Sequence, residues 1–193
     1  MGRRERKKAQ TRQSLADAAL ELFLERGYDQ VGVKDIADAA DVSVTTLFKH
    51  FPGKEALVFD QDDDLEAALV AAVRDRPPGR SIPQALREHL LLHQTRFAVH
   101  AADPRFADFL RLVRETLALR EYSQRMWTRH EAALARAIAQ AVGAPEDDTG
   151  CAALARFALA ARSLIQQHPD PRRAAEEAFA LLEHGWAAAH PTS

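Results

Sequence analysis

The chain contains 193 residues, 47% of them hydrophobic, and its formal net charge is −2 at pH 7. This composition is typical of a folded globular protein and excludes a disordered chain. No uncharged apolar stretch reaches the roughly 18 residues that span a bilayer, so no transmembrane helix is predicted. A single cysteine rules out an internal disulfide and predicts a reducing, cytoplasmic location.

Charge is unevenly distributed along the chain. Residues 1–12 carry six basic side chains and one acidic side chain, while residues 55–193 have a net charge of −4. A basic N-terminal arm, expected to be flexible over about residues 1–8, followed by an acidic remainder indicates a polyanion-binding end. A solvated tail without a partner explains the same charges, so both interpretations stay open on charge alone.

Three helices are predicted at the N-terminus. Alanine occurs 38 times, whereas valine and isoleucine together occur 14 times, and this balance favours helices over strands. Apolar residues at helical spacing predict an amphipathic first helix over residues 5–26, and Gly27 follows where a left-handed residue ends a helix. Two short helices are predicted next, at residues 33–40 and 44–51.

The second short helix is predicted to present its polar residues outward. Asp41 lies in the turn before it and tolerates the left-handed conformation, and the hydroxyl of Ser43 is placed to cap the helix. A helix this short is not stable alone, so it must pack against the first helix. Its outward side chains suit contacts with base edges and phosphates. They are Val44, Thr45, Thr46, Phe48, Lys49 and His50.

Six further helices bring the predicted total to about nine and the predicted fold class to all-α. The sequence Pro77-Pro78-Gly79 is the clearest break among them. These helices are predicted at about residues 54–76, 83–100, 104–117, 118–142, 149–167 and 171–189.

Several short motifs between residues 19 and 57 carry a family resemblance. They are Ile36-Ala37, Val42-Ser43, Thr46-Leu47-Phe48, His50-Phe51 and Lys54 through Leu57. This pattern is similar to the TetR/AcrR family of transcriptional repressors. The resemblance implies a helix-turn-helix DNA-binding domain at residues 1–53 and a helical ligand-binding and dimerisation domain at residues 54–193. Two residues depart from the family pattern, since Gly32 replaces the usual Thr or Ser and Asp41 replaces the usual Gly.

The resemblance also implies roles for individual residues in contact with DNA. Base-edge contacts are expected from Val44, Thr45 and Thr46. Phosphate or sugar contacts are expected from Phe48, Lys49, His50 and Lys54, and from Lys34 at the start of the second helix. Ser43 completes this predicted DNA-binding set.

The leading functional hypothesis is a homodimeric repressor that binds a palindromic double-stranded DNA operator and is released by a small molecule. The half-sites of such an operator lie one helical turn apart, about 34–36 Å.

The dimer is predicted to form through about residues 149–189, with apolar surface from Ala152, Ala155, Leu159, Leu164, Phe179, Leu182 and Trp186. An apolar or amphipathic effector is predicted to bind between helices, near Phe97, Phe106, Phe109, Met126, Trp127, His130 and Phe157. For each residue in both sets, the alternative is a place in the protein core.

Two other functional classes compete with this hypothesis. A metal or haem sensor is suggested by His89 and His93, which lie four residues apart, but the sequence indicates no third ligand. The second alternative is a helical adaptor that binds protein partners. It does not explain the exposed polar face of the second short helix. No catalytic motif is present, so neither an enzyme nor a cofactor is predicted. Salt-dependent binding to a specific duplex separates the DNA reader from the adaptor.

Overall fold

The computed structural model describes residues 2–101 and 103–189, which form ten α-helices and, within these ranges, no strand. The all-α fold class is therefore confirmed. None of the helices in the described ranges is both long and apolar enough to cross a membrane. The helices are α1 Arg3–Arg26, α2 Val33–Ala39, α3 Val44–His50, α4 Lys54–Val58, α5 Asp62–Arg74, α6 Ile82–Ala101, α7 Pro104–Glu115, α8 Leu117–Val142, α9 Thr149–Gln167 and α10 Pro171–Ala189.

The helix predicted over residues 54–76 is in fact two helices, and this break raises the number from nine to ten. Phe59 leaves the helical conformation after α4, with φ −109° and ψ 48°. Its ring stacks on Tyr122 with the ring centroids 5.3 Å apart. The Asp62 N–H then donates to the Phe59 carbonyl at 3.0 Å as α5 begins. The prediction failed because neither Gly nor Pro marks the end of α4 in the sequence.

The basic N-terminus is helical where the structure describes it. Helix α1 begins at Arg3, so most of the arm expected to be flexible at residues 1–8 forms its first turns. The residues from Arg3 to Gln10 lack Gly, Pro and β-branched side chains, and their helix propensities are high. Five of the six basic side chains, all but Arg12, are therefore exposed on a helix that continues into the core.

The chain divides into two compact units that differ from the predicted domains at residue 53. The head unit comprises Met1–Asp63 and Asp103–Met126, and the body unit comprises Asp64–Ala102 and Trp127–Ser193. The head unit thus includes α4 and α7 in addition to the first three helices. The functional division into a DNA-binding and a ligand-binding domain stays a prediction.

The core of the head unit is formed mainly by the apolar faces of α1 to α4, together with Leu119 of α8 and residues of the loop before α2. The stripe predicted on α1 is largely confirmed, and Tyr28 packs behind it with its ring centroid 5.0 Å from that of Phe23. Burying a large apolar side chain completely stabilises a fold by about 1.5–3 kcal/mol. This cluster therefore holds the two short helices in place. Its fully buried large side chains are Leu15, Phe23, Ile36, Leu47, Phe51, Leu57 and Leu119.

The core of the body unit lies between α6, α8, α9 and α10. Cys151 is fully buried there, and burial raises the pKa of its thiol to about 12, so it stays protonated as a small core residue. Ala155 and Phe179 are also core residues. Of the two roles left open for them, the dimer surface and the core, the structure shows the core. Leu159 and Leu182 pack half-buried against this core.

Two residues of the predicted dimer surface remain accessible, and one lies outside the description. Ala152 and Leu164 on α9 are exposed to solvent. The side chain of Trp186 lies outside the described residues. The accessible part of the predicted surface is therefore on α9.

Candidate nucleic-acid interface and apolar pocket

The turn between α2 and α3 has the geometry of a helix-turn-helix. Asp41 adopts φ 51°, the left-handed conformation predicted for it. The Val42 N–H closes the end of α2 by donating to the Ala37 carbonyl at 2.9 Å. The Ser43 hydroxyl accepts from the Thr46 N–H at 3.1 Å, which confirms the predicted cap of α3. These local bonds fix where α3 begins.

The Ser43 cap is expected to stabilise the head unit measurably. Ser43→Ala removes the acceptor of the Thr46 N–H and should lower the free energy of unfolding by about 1 kcal/mol. Urea denaturation followed by circular dichroism measures this loss. Ser14→Ala, an exposed serine inside α1, is the control and should be neutral or slightly stabilising. Equal stability of the two variants would contradict the cap.

The outward face of α3 is formed by Thr45, Phe48 and Lys49. These residues lie three and four positions apart, so they share one face of the helix. All three are exposed, and the Phe48 ring is 51% exposed although it is large and apolar. No acidic residue lies in α3, and Lys49 and His50 place basic groups in its last turn. This face is cationic and able to make hydrogen bonds and apolar contacts.

Three other predicted residues of α3 are less accessible. Val44 packs half-buried against the head core. The Thr46 hydroxyl lies 2.9 Å from the Ser43 hydroxyl, so it takes part in the cap. Burial, with smaller effects of Lys8 and Arg12, lowers the pKa of His50, so its imidazole is mainly neutral at pH 7. A strong charge contact of His50 with phosphate is therefore less favourable than the sequence suggested.

Lys54 has a structural role that the sequence did not indicate. Its ammonium donates to the carbonyls of Tyr28 at 2.7 Å and Val31 at 3.0 Å. It also lies 3.9 Å from the centroid of the Tyr28 ring. These contacts join α4 to the loop before α2. Because an ammonium has three N–H donors, a phosphate contact by Lys54 would have to use the third.

Lys34 is exposed on α2, where it was predicted to contact phosphate. Its ammonium lies 2.6 Å from the Asp38 carboxylate one turn along the helix. An exposed pair of this kind contributes little to stability, so a phosphate could compete for the ammonium at low energetic cost. The phosphate contact of Lys34 stays a prediction.

Arg12 is a positioning residue that was counted only as part of the basic arm. Its guanidinium donates to the His50 carbonyl at the end of α3 at 2.7 Å and to the Asp60 carbonyl at 2.8 Å. The guanidinium carbon also lies 4.3 Å from the centroid of the Phe51 ring. Arg12 therefore fixes the C-terminal end of α3 against α1. Its position one turn before Leu15 on the buried stripe was the only signal for this role.

A small, mostly apolar pocket lies within the body unit. It opens between α5, α6, α8 and α9, and it encloses about 10 Å³, or about 270 Å³ with the open mouth included. Trp127 belongs to its wall, and the ring of Trp127 meets the ring of the fully buried His130 edge-on at 5.1 Å. The lining residues are Leu65, Leu69, His89, Leu90, His93, Trp127, Leu159 and Arg162.

Two pairs of the residues predicted to line an effector site are in contact, Trp127 with His130 in the body unit and Phe106 with Phe109 in the head unit. Phe109 packs half-buried against the head core, and Met126 is buried in the head unit. Phe157 is 55% exposed on α9, so it does not belong to an enclosed site within the body unit. Phe97 lies half-buried on α6. Of the predicted set only Trp127 lines the pocket described above.

Phe106 belongs to the head unit and the histidine pair to the body unit. The Phe106 ring stacks on that of Phe109 with 5.8 Å between centroids. His89 and His93 both line the body pocket. Among the described residues, no three His, Cys, Asp or Glu side chains come together as metal ligands.

Known regulators resemble this chain in sequence. Residues 15–60 match the family model described as bacterial regulatory proteins, tetR family. The chain is 34% identical over 157 residues to the HTH-type transcriptional regulator TcmR of Streptomyces glaucescens, covering 76% of this chain and 67% of TcmR. It is 28% identical over 144 residues to the putative mycofactocin biosynthesis transcriptional regulator MftR of Mycobacterium tuberculosis, covering 74% and 71% of the two chains.

The fold is also similar to that of solved structures. A TetR-family regulator from Streptomyces coelicolor superposes with a TM-score of 0.60 and 18% identity, covering 93% of this chain and 96% of the other. At this level of identity the likeness concerns the fold alone.

Proposed function

Because the chain belongs to the TetR family of bacterial transcription regulators, we propose that it is a homodimeric repressor whose operator is palindromic and which a small molecule releases. The outward face of α3 is the observation that carries this proposal. Thr45, Phe48 and Lys49 are exposed there although Phe48 would be buried in most folds. A helix with these groups suits the major groove, where hydroxyls meet base edges and lysine meets phosphate.

Selection of bound duplexes from a random pool tests this function. A repressor of this kind should enrich a palindrome whose half-sites are about one helical turn apart. Its affinity for that palindrome should fall by roughly 10³–10⁵ between 50 and 200 mM salt if it makes about 6–10 phosphate contacts. Enrichment of no sequence at low salt would contradict DNA recognition and favour the adaptor.

Lys49 is expected to contact phosphate rather than bases. Lys49→Gln should weaken binding about equally for the selected palindrome and for unrelated duplexes, and should reduce the slope of log affinity against log salt by about 1 per contact. Fluorescence anisotropy at several salt concentrations measures both quantities. Arg136→Gln on α8 removes the same charge from the body unit, outside the proposed dimer surface, and should leave the slope unchanged. A Lys49 variant that lost affinity for only one base sequence would instead indicate base contact.

The exposed apolar residues of α9 and α10 support a homodimer through about residues 149–189. Phe157 and Leu164 are 55% and 62% exposed, and they lie seven residues apart on one face of α9. Leu181 on α10 is 77% exposed. Exposed large apolar side chains on two helices that pack together are typical of a surface that a partner covers. Phe157 is therefore assigned to the dimer rather than to the effector site.

The body pocket is the place where we propose that the effector binds. Its wall combines leucine side chains with Trp127, two imidazoles and one guanidinium. Pockets with an apolar wall and a few polar groups are the usual binding sites for small molecules. A ligand that prefers one conformation of the repressor over another lowers the affinity for DNA, and DNA lowers the affinity for that ligand by the same factor.

A further inference from the structure

The body pocket contains a cation that the described protein does not neutralise. Arg162 is the one permanently charged side chain among the lining residues, and none of the lining residues is acidic. Within the described part of the chain, the buried Nε–H of Arg162 has no hydrogen-bond acceptor. Burial lowers the pKa of its guanidinium, with no opposing effect of a carboxylate. An arginine nevertheless stays charged in a protein.

The guanidinium is held in place by an aromatic ring. Its central carbon lies 3.9 Å from the centroid of the Trp127 ring. This cation–π contact supplies part of the stabilisation that a partly buried cation needs. It does not satisfy the N–H donors, which project from the edge of the guanidinium plane, because the contact uses the face of the plane. A planar anion is the partner that matches those donors in pairs.

The rest of the wall defines the other part of the ligand. Leu65, Leu69, Leu90 and Leu159 surround the space with aliphatic groups. The space they enclose is only about 10 Å³, room for about one water molecule, and it reaches about 270 Å³ when the open mouth is counted. A ligand must therefore be small, with its apolar body lying in the mouth against the leucine side chains.

We propose that the effector is a small organic carboxylate with an apolar body and that Arg162 binds its carboxylate. The proposal rests on the function proposed above, since it names the chemical class of the ligand of that repressor. The guanidinium forms paired hydrogen bonds with the carboxylate while its face stays on Trp127. The apolar body of the ligand contacts the leucine side chains, and His89 and His93 face it from α6.

Calorimetry on the full chain with matched ligand pairs tests this assignment. The probes are 4-phenylbutyrate with 4-phenylbutyramide and octanoate with octanamide, because each pair differs in charge and hardly in shape. The carboxylate of at least one pair should bind roughly 10–100-fold more tightly than its amide. Equal affinities within both pairs, or no binding of either carboxylate at millimolar concentration, would overturn the proposal.

Substitution of the arginine provides the second comparison. Arg162→Met should remove the preference for the carboxylate, while Arg162→Lys should keep part of it because the charge remains. Arg136→Met is the control, since Arg136 lies on α8 in the same unit but is exposed and does not line the pocket. The control should bind like the parent protein. A folded Arg162→Met variant that kept the full preference would show that Arg162 only packs on Trp127.

Operator binding without any probe separates this proposal from the one it rests on. If the protein prefers carboxylates through Arg162 but selects no duplex, the anion site is supported and the repressor function is contradicted. If the protein selects a palindrome but binds acids and amides equally, the repressor function is supported and the anion site is contradicted.

Discussion

Replacement of Lys54 by methionine is expected to destabilise the head unit by about 3 kcal/mol. The ammonium donates to two main-chain carbonyls in the loop before α2, and hydrogen bonds from charged donors contribute more than neutral ones. Methionine keeps much of the length and the apolar contact of lysine but donates no hydrogen bond. The loop would lose its tie to α4, and the two short helices would open more often.

Hydrogen exchange resolves this effect to the helices concerned. A loss of about 3 kcal/mol should speed exchange of the protected α3 amides roughly 100-fold if they exchange through opening of the unit. Lys49→Met is the control, because it changes an exposed lysine of the same unit. Hydrogen exchange in the helices of the head unit other than α3 should be nearly unchanged in this variant. Unaltered protection of α3 in the Lys54 variant would mean that the two bonds contribute no net stability.

Leu164→Glu is expected to convert the proposed dimer into monomers. A carboxylate at a position that is 62% exposed in the single chain costs little to the fold. At the centre of an apolar contact between two copies, however, it would be buried without a partner. Because the two heads of a dimer bind one operator together, operator affinity should fall by roughly 10²–10⁴-fold.

Light scattering and operator titration together measure this change. Leu92→Glu on α6 is the control, because Leu92 is an apolar residue of the body unit with a similar exposure of 55%. The control should keep the mass and the affinity of the parent protein. A Leu164 variant with the mass of two chains would place the dimer contact elsewhere.

Features determined by neighbouring residues could be predicted from the sequence. Gly27 ends α1 with φ 85°, Asp41 forms the left-handed turn, and Ser43 caps α3 as expected. Each of these residues acts through bonds to groups within about four positions, so its type alone carries the information. The outward face of α3 was partly predicted for the same reason, since helical spacing separates Leu47 from Thr45 and Phe48.

Features determined by distant contacts could not be predicted. The partners of Arg12 are 38 and 48 residues away, so its basic side chain was interpreted only as charge. The partners of Lys54 are 26 and 23 residues away, and its structural role was missed for the same reason. Arg162 lies on an alanine-rich helix where nothing in the sequence indicates the ring of Trp127. Of the predicted effector residues only Trp127 lines the body pocket, because helical periodicity does not distinguish a core from a pocket.

The shortness of α2 and α3, seven residues each, has a consequence for the lifetime of the protein in a cell. Neither helix is stable apart from the head core. When α2 and α3 detach from that core, the outward face of α3 is lost and the unfolded segment becomes accessible to proteases at the same time. DNA bound to the proposed reading surface should stabilise only the closed head by mass action, by about 2.7 kcal/mol at a hundredfold excess over the dissociation constant. We therefore expect operator-bound copies to resist proteases that attack open chains and unbound copies to be degraded first.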